Sequence, residues 1–61
     1  MKLREWRESK KLSQEELAEM LGKSVKQENI SQWENGIMPR REWLISIESV
    51  TKNKVTASDF L

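Results

Sequence analysis

The sequence predicts an all-α fold, and three observations support that prediction. Apolar residues recur at intervals of three and four residues in successive segments, which places their side chains on one face of a helix. Serine or threonine residues stand three positions before acidic or amide residues, as at helix starts. Glycine, asparagine and proline separate the segments. With no internal repeat or linker, we expect residues 1–61 to form a single compact domain of four to five helices.

The first helix is predicted from Leu3 and Trp6, which share one helical face and have charged residues between them. No glycine or proline interrupts the segment, so the helix is expected to end near Lys10 or Lys11.

The second helix is predicted to begin at Ser13. Ser13 and Glu16 have the spacing of a capping box, in which the serine hydroxyl accepts from the Glu16 amide and the carboxylate accepts from the serine amide. Leu17 and Leu21 give this helix an apolar stripe. Gly22 is expected to end it in a left-handed conformation, which glycine adopts at little steric cost.

The third helix is short and rich in polar side chains. A second capping box over residues 24–27 is expected to open it, and Asn35 with Gly36, which both tolerate positive φ, is expected to close it. Ile30 and Trp33 share one face, which we expect to be buried. The outward surface is then predicted to carry Gln27, Glu28, Ser31, Gln32 and Asn35.

The fourth helix is predicted to have Pro39 in its first turn, because proline is pre-organised for that position. Its inward side chains are predicted to be Trp43, Leu44, Ile47 and Val50.

A short final turn is predicted after the fourth helix. Residues 56–59 have the form of a third capping box, and this turn is expected to carry Phe60 and Leu61 into the core. A β-strand through Val55 is the alternative for this part of the chain.

Composition excludes several classes of site. The chain has no cysteine and no histidine, so neither a disulfide framework nor an ordinary zinc site is available, and no metal is expected. No apolar run reaches membrane-spanning length, so we expect a soluble cytoplasmic protein. The carboxylates are scattered and so small a domain offers little concave volume, so we expect no enzymatic activity, no cofactor and no small-molecule ligand.

The polar face of the third helix favours one partner. Amide side chains are bidentate and match the donor and acceptor pattern that adenine presents in the DNA major groove. A merely solvated helix surface is the alternative interpretation. The formal charge of +1, from 11 basic and 10 acidic residues, is low for a nucleic-acid-binding protein. The DNA hypothesis therefore requires the basic residues to be concentrated on one face.

The chain resembles a known family over these helices. The run LSQEELAEMLG at 12–22, followed by VKQ at 25–27 and ISQWENG at 30–36, is similar to the Cro/CI-type helix-turn-helix of phage repressors and their bacterial relatives. The tail from residue 39 more weakly resembles small Cro-like and antitoxin-type members. The resemblance implies a lambda-repressor-like domain with the helix-turn-helix at helices 2 and 3. It implies a transcriptional regulator, a Cro-like repressor that binds double-stranded operator DNA; the alternative is an antitoxin-type or other protein-interaction module.

The resemblance also assigns roles by position. The residues expected to contact base edges are Gln27, Glu28, Gln32 and, as a helper, Ser31. The residues expected to contact the DNA backbone are Gln14, Lys26, Asn35 and Arg40. Arg7 and Glu34 match a structural ion pair between the first helix and the recognition helix. Purely structural interpretations are the alternatives: Gln14 would only start a helix, Glu28 would be a surface charge, and Asn35 would form a turn.

Two features depart from the family pattern. Lys23 and Ser24 lie between Gly22 and Val25, where the family runs almost directly from the glycine to the valine. This insertion either forms a looser loop with Ser24 as the cap or tilts the recognition helix. Glu28 is the second departure, because a carboxylate in the groove repels phosphate and is best tolerated where it accepts from a cytosine amino group.

A homodimer is expected, at least on DNA, because one module makes few contacts and two copies bind half-sites about one helical turn apart. The leading candidates for the dimer contact are Ile45, Phe60 and Leu61, together with Ile37 and Met38. The alternative for Ile45 is a lone exposed apolar residue.

Overall fold

Four α-helices and one terminal 3₁₀ turn make up the computed structural model, which describes residues 1–61. Their bounds are α1 Leu3–Ser9, α2 Gln14–Leu21, α3 Gln27–Glu34, α4 Arg41–Val50, and the 3₁₀ turn Ala57–Phe60. No residue is in a β-strand, so the predicted all-α fold class is confirmed. The Cα radius of gyration is 10.0 Å and the three principal extents are 23, 23 and 21 Å.

A single hydrophobic core joins these elements. Leu17 of α2, Ile30 of α3, Ile47 of α4 and Val55 of the loop after α4 have almost no exposed surface. Each of these elements therefore contributes one fully buried aliphatic side chain. Their burial removes apolar surface from water, which is the main favourable contribution to folding in a chain without disulfides or metal.

Two tryptophans extend the core between α3 and α4. The ring centroids of Trp33 and Trp43 lie 6.4 Å apart at an interplanar angle of 37°. Trp33 is buried, while Trp43 is half-buried and packs against the edge of the core. This pair fixes how the end of α3 packs against the start of α4.

Val55 lies in a loop, so the strand alternative for this segment is wrong. Its N–H donates to Thr51 Oγ1 (3.2 Å), and the same hydroxyl donates to the carbonyl of Ile47 (2.7 Å). The buried threonine thus satisfies the N–H of Val55, which in a strand would have paired with a neighbouring strand.

Each of the four helices is followed within two residues by one with positive φ: Lys11 (57°), Gly22 (139°), Gly36 (103°) and Lys52 (54°). After α1, the N–H of Lys11 donates to Glu8 O (3.0 Å) and that of Leu12 donates to Arg7 O (3.1 Å). This pair of hydrogen bonds is the Schellman motif. Lysine is not the residue that such a position favours, because its Cβ is crowded in the left-handed region.

The turn between α2 and α3 is closed by a backbone hydrogen bond. Gly22 ends α2 at a positive φ, as predicted, but φ 139° with ψ 168° is extended backbone and not the left-handed helical conformation that was expected. This is a region of backbone space that essentially only glycine visits. The N–H of Val25 donates to Gly22 O (3.2 Å), and Val25 is buried. The inserted Lys23 and Ser24 are therefore accommodated in a tight turn that still delivers Val25 to the core.

The predicted helix starts are correct in part. At α2, Glu16 N–H donates to Ser13 Oγ (3.0 Å) and Ser13 N–H donates to Glu16 Oε1 (2.8 Å), as predicted. The box over residues 24–27 is wrong: α3 begins at Gln27, and Asn29 Oδ1 accepts from the N–H of Lys26 (2.9 Å). The N-cap residue of α3 is Lys26, two positions after Ser24, so Ser24 does not cap the helix.

Two further predictions near the end of the chain need correction. Pro39 is not in the first turn of α4, because the carbonyl of Arg40 accepts from Trp43 and Leu44 N–H (both 2.9 Å) and the helix begins at Arg41. Leu61 does not enter the core: it is 89% exposed beyond the final turn. Phe60 is half-buried and packs against the core, as predicted.

Candidate nucleic-acid interface

The helix α3 has one buried face and one outward face. Ile30 and Trp33 are buried, while Gln27, Glu28 and Gln32 are exposed and Ser31 is half-buried. At 3.6 residues per turn, positions 27, 28, 31 and 32 fall within an arc of about 140° opposite the buried pair. The residues with predicted base contacts therefore share one accessible surface, and it is built from amide, hydroxyl and carboxylate groups.

An ion pair between α1 and α3 holds the carboxyl end of α3. Arg7 Nε donates to Glu34 Oε2 (2.6 Å) and Arg7 Nη2 donates to Glu34 Oε1 (3.2 Å). The two side chains are only 13% and 3% exposed. Hydrogen bonding to the Glu34 carboxylate raises the pKa of Arg7 above its usual value, against the opposing effect of burial. Because both groups are largely removed from water, each depends on the other for its charge compensation.

Arg7 also organises the turn that follows α1. Its Nη1 donates to the carbonyl of Leu12 (2.8 Å), so all three guanidinium nitrogens have an acceptor. Arg4 lies on the outer side of the same carboxylate, with Nε 3.8 Å from Glu34 Oε1, and its side chain is mostly exposed. Such a long, solvated contact contributes little to the stability of the fold.

Gln14, the first residue of α2, connects the two ends of α3. Its Nε2 donates to Glu34 Oε1 (3.1 Å), and its Oε1 accepts from Gln27 Nε2 (3.3 Å). Sequence reasoning treated these three side chains separately and missed the connection. A signal was present, because Gln27 and Glu34 are seven residues apart and so lie along the same edge of the helix.

The other residues with predicted DNA-backbone contacts lie at helix ends. Lys26 is exposed immediately before α3, and Arg40 is exposed immediately before α4. Asn35 follows α3, and its Nδ2 donates to the carbonyl of Ser31 (2.8 Å). The Asn35 amide therefore closes the last turn of α3, which is the structural interpretation considered for it, and its Oδ1 stays at the surface.

A groove of about 300 Å³ lies beside the outward face of α3, which we call the recognition surface (Gln27, Glu28, Ser31 and Gln32). Its polar lining comes from Asn29, Gln32 and Arg40, and its apolar lining from Trp33, Ile37, Met38 and Trp43. Polar, cationic and apolar groups thus meet beside the last turn of α3.

Several large apolar side chains remain at the surface. Ile45 on α4 is 59% exposed, and Ile37 and Met38 in the loop before α4 are also exposed. Of the residues considered for a dimer contact, Ile45 and Leu61 are accessible, whereas Phe60 is half-buried.

Asp59 ties the final turn to the first residues of the chain. Its carboxylate accepts from Thr56 N–H (2.9 Å) and lies 3.1 Å from the amino group of Met1, while Lys2 Nζ donates to its carbonyl (2.8 Å). The Thr56 hydrogen bond, followed by that from the amino group, lowers the pKa of Asp59.

The structure holds no group of three or more acidic, histidine or cysteine side chains placed to bind a metal ion. Every buried side-chain nitrogen or oxygen has a hydrogen-bond partner. None of the helices has both the length and the apolar character needed to cross a membrane.

Comparison with known proteins adds one match. The family model described as helix-turn-helix matches residues 3–56, a span that contains all four α-helices. No curated protein and no solved structure matches the chain. The matched span includes the turn with Lys23 and Ser24, so the longer turn lies within the family alignment.

Proposed function

The chain belongs to the Cro/CI-type helix-turn-helix family of DNA-binding regulators, and on that basis we propose that it is a Cro-like repressor of transcription. It occupies a specific operator with α3 in the major groove and excludes RNA polymerase from the same DNA. The observation that carries the proposal is the outward face of α3, where amide side chains stand opposite a buried apolar pair.

Base discrimination is assigned to this face. Gln27 and Gln32 carry donor and acceptor atoms that fit the N7 and N6 positions of adenine. Ser31 assists by donating or accepting one hydrogen bond. Glu28 accepts from a cytosine amino group, which is the base contact that suits a carboxylate.

Affinity is assigned to groups that contact phosphates. Lys26 is exposed immediately before α3 and Arg40 immediately before α4, so each can neutralise one phosphate and release a counterion. Gln14 donates its remaining N–H to a phosphate, and Asn35 contributes at the end of α3. These contacts fix the position of α3 in the groove without reading sequence.

The repressor acts as a homodimer on a two-fold symmetric operator in the cytoplasm of a bacterial or phage-infected cell. One domain with four base-contacting side chains gives modest discrimination, and two copies on half-sites about one helical turn apart multiply it. The exposed Ile45 supports an apolar contact between copies, and Leu61 with the half-buried Phe60 is the second candidate for it.

A second function is favoured by two observations. The charge of +1 gives little general attraction to DNA, and Glu28 adds a negative charge to the recognition surface. Both fit an antitoxin-type module whose main ligand is a protein. A duplex that competes with such a partner for the domain would separate the two functions.

Selection of random duplexes on the purified protein tests the proposal, followed by a salt titration on the selected duplex. A repressor dimer enriches a two-fold symmetric site and shows an affinity that falls steeply with salt. Enrichment of no sequence, with weak binding to every duplex, would contradict the proposal and favour the protein-interaction module.

A further inference from the structure

Three polar side chains are joined by hydrogen bonds in a row that runs from the interior to the recognition surface. Glu34 is almost fully buried, Gln14 is half-buried and Gln27 is exposed. The joining distances are 3.1 Å from Gln14 Nε2 to Glu34 Oε1 and 3.3 Å from Gln27 Nε2 to Gln14 Oε1. The exposed end of this row is Gln27, the first residue of the recognition helix α3.

The chemistry of the buried end fixes the direction of every hydrogen bond. Both Glu34 oxygens accept hydrogen bonds from the Arg7 guanidinium, and a carboxylate paired with arginine in this way has only acceptor atoms to offer Gln14. The Gln14 atom that faces Glu34 must therefore be the nitrogen. Its oxygen is then turned towards Gln27, and an oxygen needs a donor opposite it. Gln27 must present Nε2 to Gln14, although an isolated carboxamide could face either way.

We propose that Glu34 is a positioning residue for base recognition: acting through Gln14, it fixes the order in which Gln27 presents its donor and acceptor to DNA. This inference rests on the proposed function. Gln27 keeps one N–H and its Oε1 free, in a set order along the groove. Adenine offers an acceptor at N7 beside a donor at N6, so only one order of the amide matches a given orientation of the base pair.

Fixing the amide before binding also affects affinity. A free glutamine side chain loses rotamer freedom when it binds a base, and pre-organisation reduces that loss. Arg7 contributes indirectly, because it holds the carboxylate that orients Gln14. The buried ion pair and the base-reading surface are therefore parts of one hydrogen-bonded unit.

The first test uses the free protein and needs no DNA. Side-chain amide resonances of ¹⁵N-labelled protein are compared for Gln14, Gln27 and Gln32, the last being an exposed glutamine with no side-chain hydrogen bond to another residue. We expect the Gln27 amide to differ from that of Gln32 and to become similar to it in Gln14→Met. This variant keeps the ion pair, so it remains informative even if Glu34→Gln fails to fold.

Arg4→Ala is the matched control, because it removes the 3.8 Å contact to Glu34 but neither hydrogen bond in the row. Its Gln27 amide resonances should stay in place. Gln27 resonances that resemble those of Gln32 in the unaltered protein, or that do not respond to Gln14→Met, would overturn the inference.

The second test measures base preference on the selected duplex. The base pair read by Gln27 is identified by the loss of preference in Gln27→Ala. At that pair, Gln14→Met and Glu34→Gln should reduce the preference by at least about fivefold, the lower end of what one bidentate contact supplies. The preference at the pair read by Gln32 should remain. Equal losses at both pairs, or no loss, would overturn the positioning role.

The two tests fail in different ways. A protein with an ordered Gln27 amide that binds no duplex would contradict the proposed function and base reading by Gln27. The direction of the hydrogen bonds from Gln27 through Gln14 to Glu34 would still be established. A protein that binds its selected duplex but has a free Gln27 amide would contradict only the positioning role.

Discussion

Arg7 and Glu34 join the carboxyl end of α1 to the last residue of α3 through two hydrogen bonds of 2.6 and 3.2 Å. Charge-assisted pairs with this geometry are stronger and more directional than single hydrogen bonds. Since α3 spans only Gln27–Glu34, a fixed carboxyl end restricts the orientation of the whole helix. The pair therefore affects both stability and the placement of the recognition surface.

Removal of one partner of this pair should be costly. Glu34→Ala leaves a largely buried guanidinium without its carboxylate, and we expect a loss of about 3 kcal/mol in the free energy of unfolding, the lower end for a buried pair because Arg7 keeps some solvent contact. Arg4→Ala should change it by less than about 0.5 kcal/mol, because its contact is exposed. Urea denaturation of the two variants measures the difference, and equal losses would show that the ion pair behaves as a surface contact.

Trp33→Ala should destabilise the fold by about 3–5 kcal/mol, because it leaves a cavity beside Trp43 in the core. In a domain this small, that loss is comparable with the total stability, so the variant should be largely unfolded. Met20→Ala, at an exposed position of α2, should melt close to the unaltered protein. A thermal melting curve of Trp33→Ala that matches that of Met20→Ala would show that the indole is not part of the core.

Backbone conformation predicts opposite effects at two helix ends. Lys11 has φ 57°, so Lys11→Gly relieves about 1 kcal/mol of left-handed strain, offset in part by the greater freedom of glycine in the unfolded chain. We expect a net gain of about 0.5 kcal/mol.

Gly22→Ala should lower stability by about 1–3 kcal/mol, although no heavy atom lies within 4 Å of the added Cβ. The cost comes from φ 139° alone. Urea midpoints measure both variants, and a change of the same sign in the two would contradict this account of the helix ends.

Asp59 should make stability depend on pH in the acid range. Its pKa is lowered in the folded state, chiefly by the hydrogen bond from Thr56, so its contribution is complete above the unfolded pKa of about 3.9. The contribution is lost as the pH falls through the lower folded value. Asp59→Asn should therefore be less stable than the unaltered protein at neutral pH, and the difference should shrink below about pH 4. Denaturant midpoints of Asp59→Asn and of the unaltered protein, at neutral pH and below about pH 4, measure this difference in stability. A difference that is the same at both pH values would show that the carboxylate charge is not involved.

The sequence predicted those features that depend on neighbouring residues. The helical segments and the cap formed by Ser13 and Glu16 follow from local spacing, and the structure confirms both. The predicted cap at Ser24 failed because α3 begins two residues later than expected: Lys26 stands at the N-cap, and the Asn29 side chain accepts from its N–H, the role predicted for Gln27. Residues 24–27 and 26–29 both place an amide side chain three positions after a possible helix start, and spacing alone does not decide between them.

Contacts between distant parts of the chain were harder to predict. Gln14 lies 20 residues from Glu34 and 13 from Gln27, and it meets both only because α2 packs beside α3. Leu61 is apolar, but the final turn ends at Phe60 and leaves Leu61 at the surface. These outcomes depend on the packed arrangement of the helices, which no local pattern specifies.

Gln27→Ala tests the central claim most directly, with its affinity measured on the selected duplex and on a scrambled duplex at two salt concentrations. Loss of one bidentate contact should weaken specific binding by about 1–3 kcal/mol and leave binding to the scrambled duplex unchanged. Lys26→Ala is the comparison: it should weaken both duplexes about equally and reduce the salt slope by about one unit. That contrast would support α3 as a sequence-reading helix in the major groove. Equal losses on both duplexes for Gln27→Ala would contradict it.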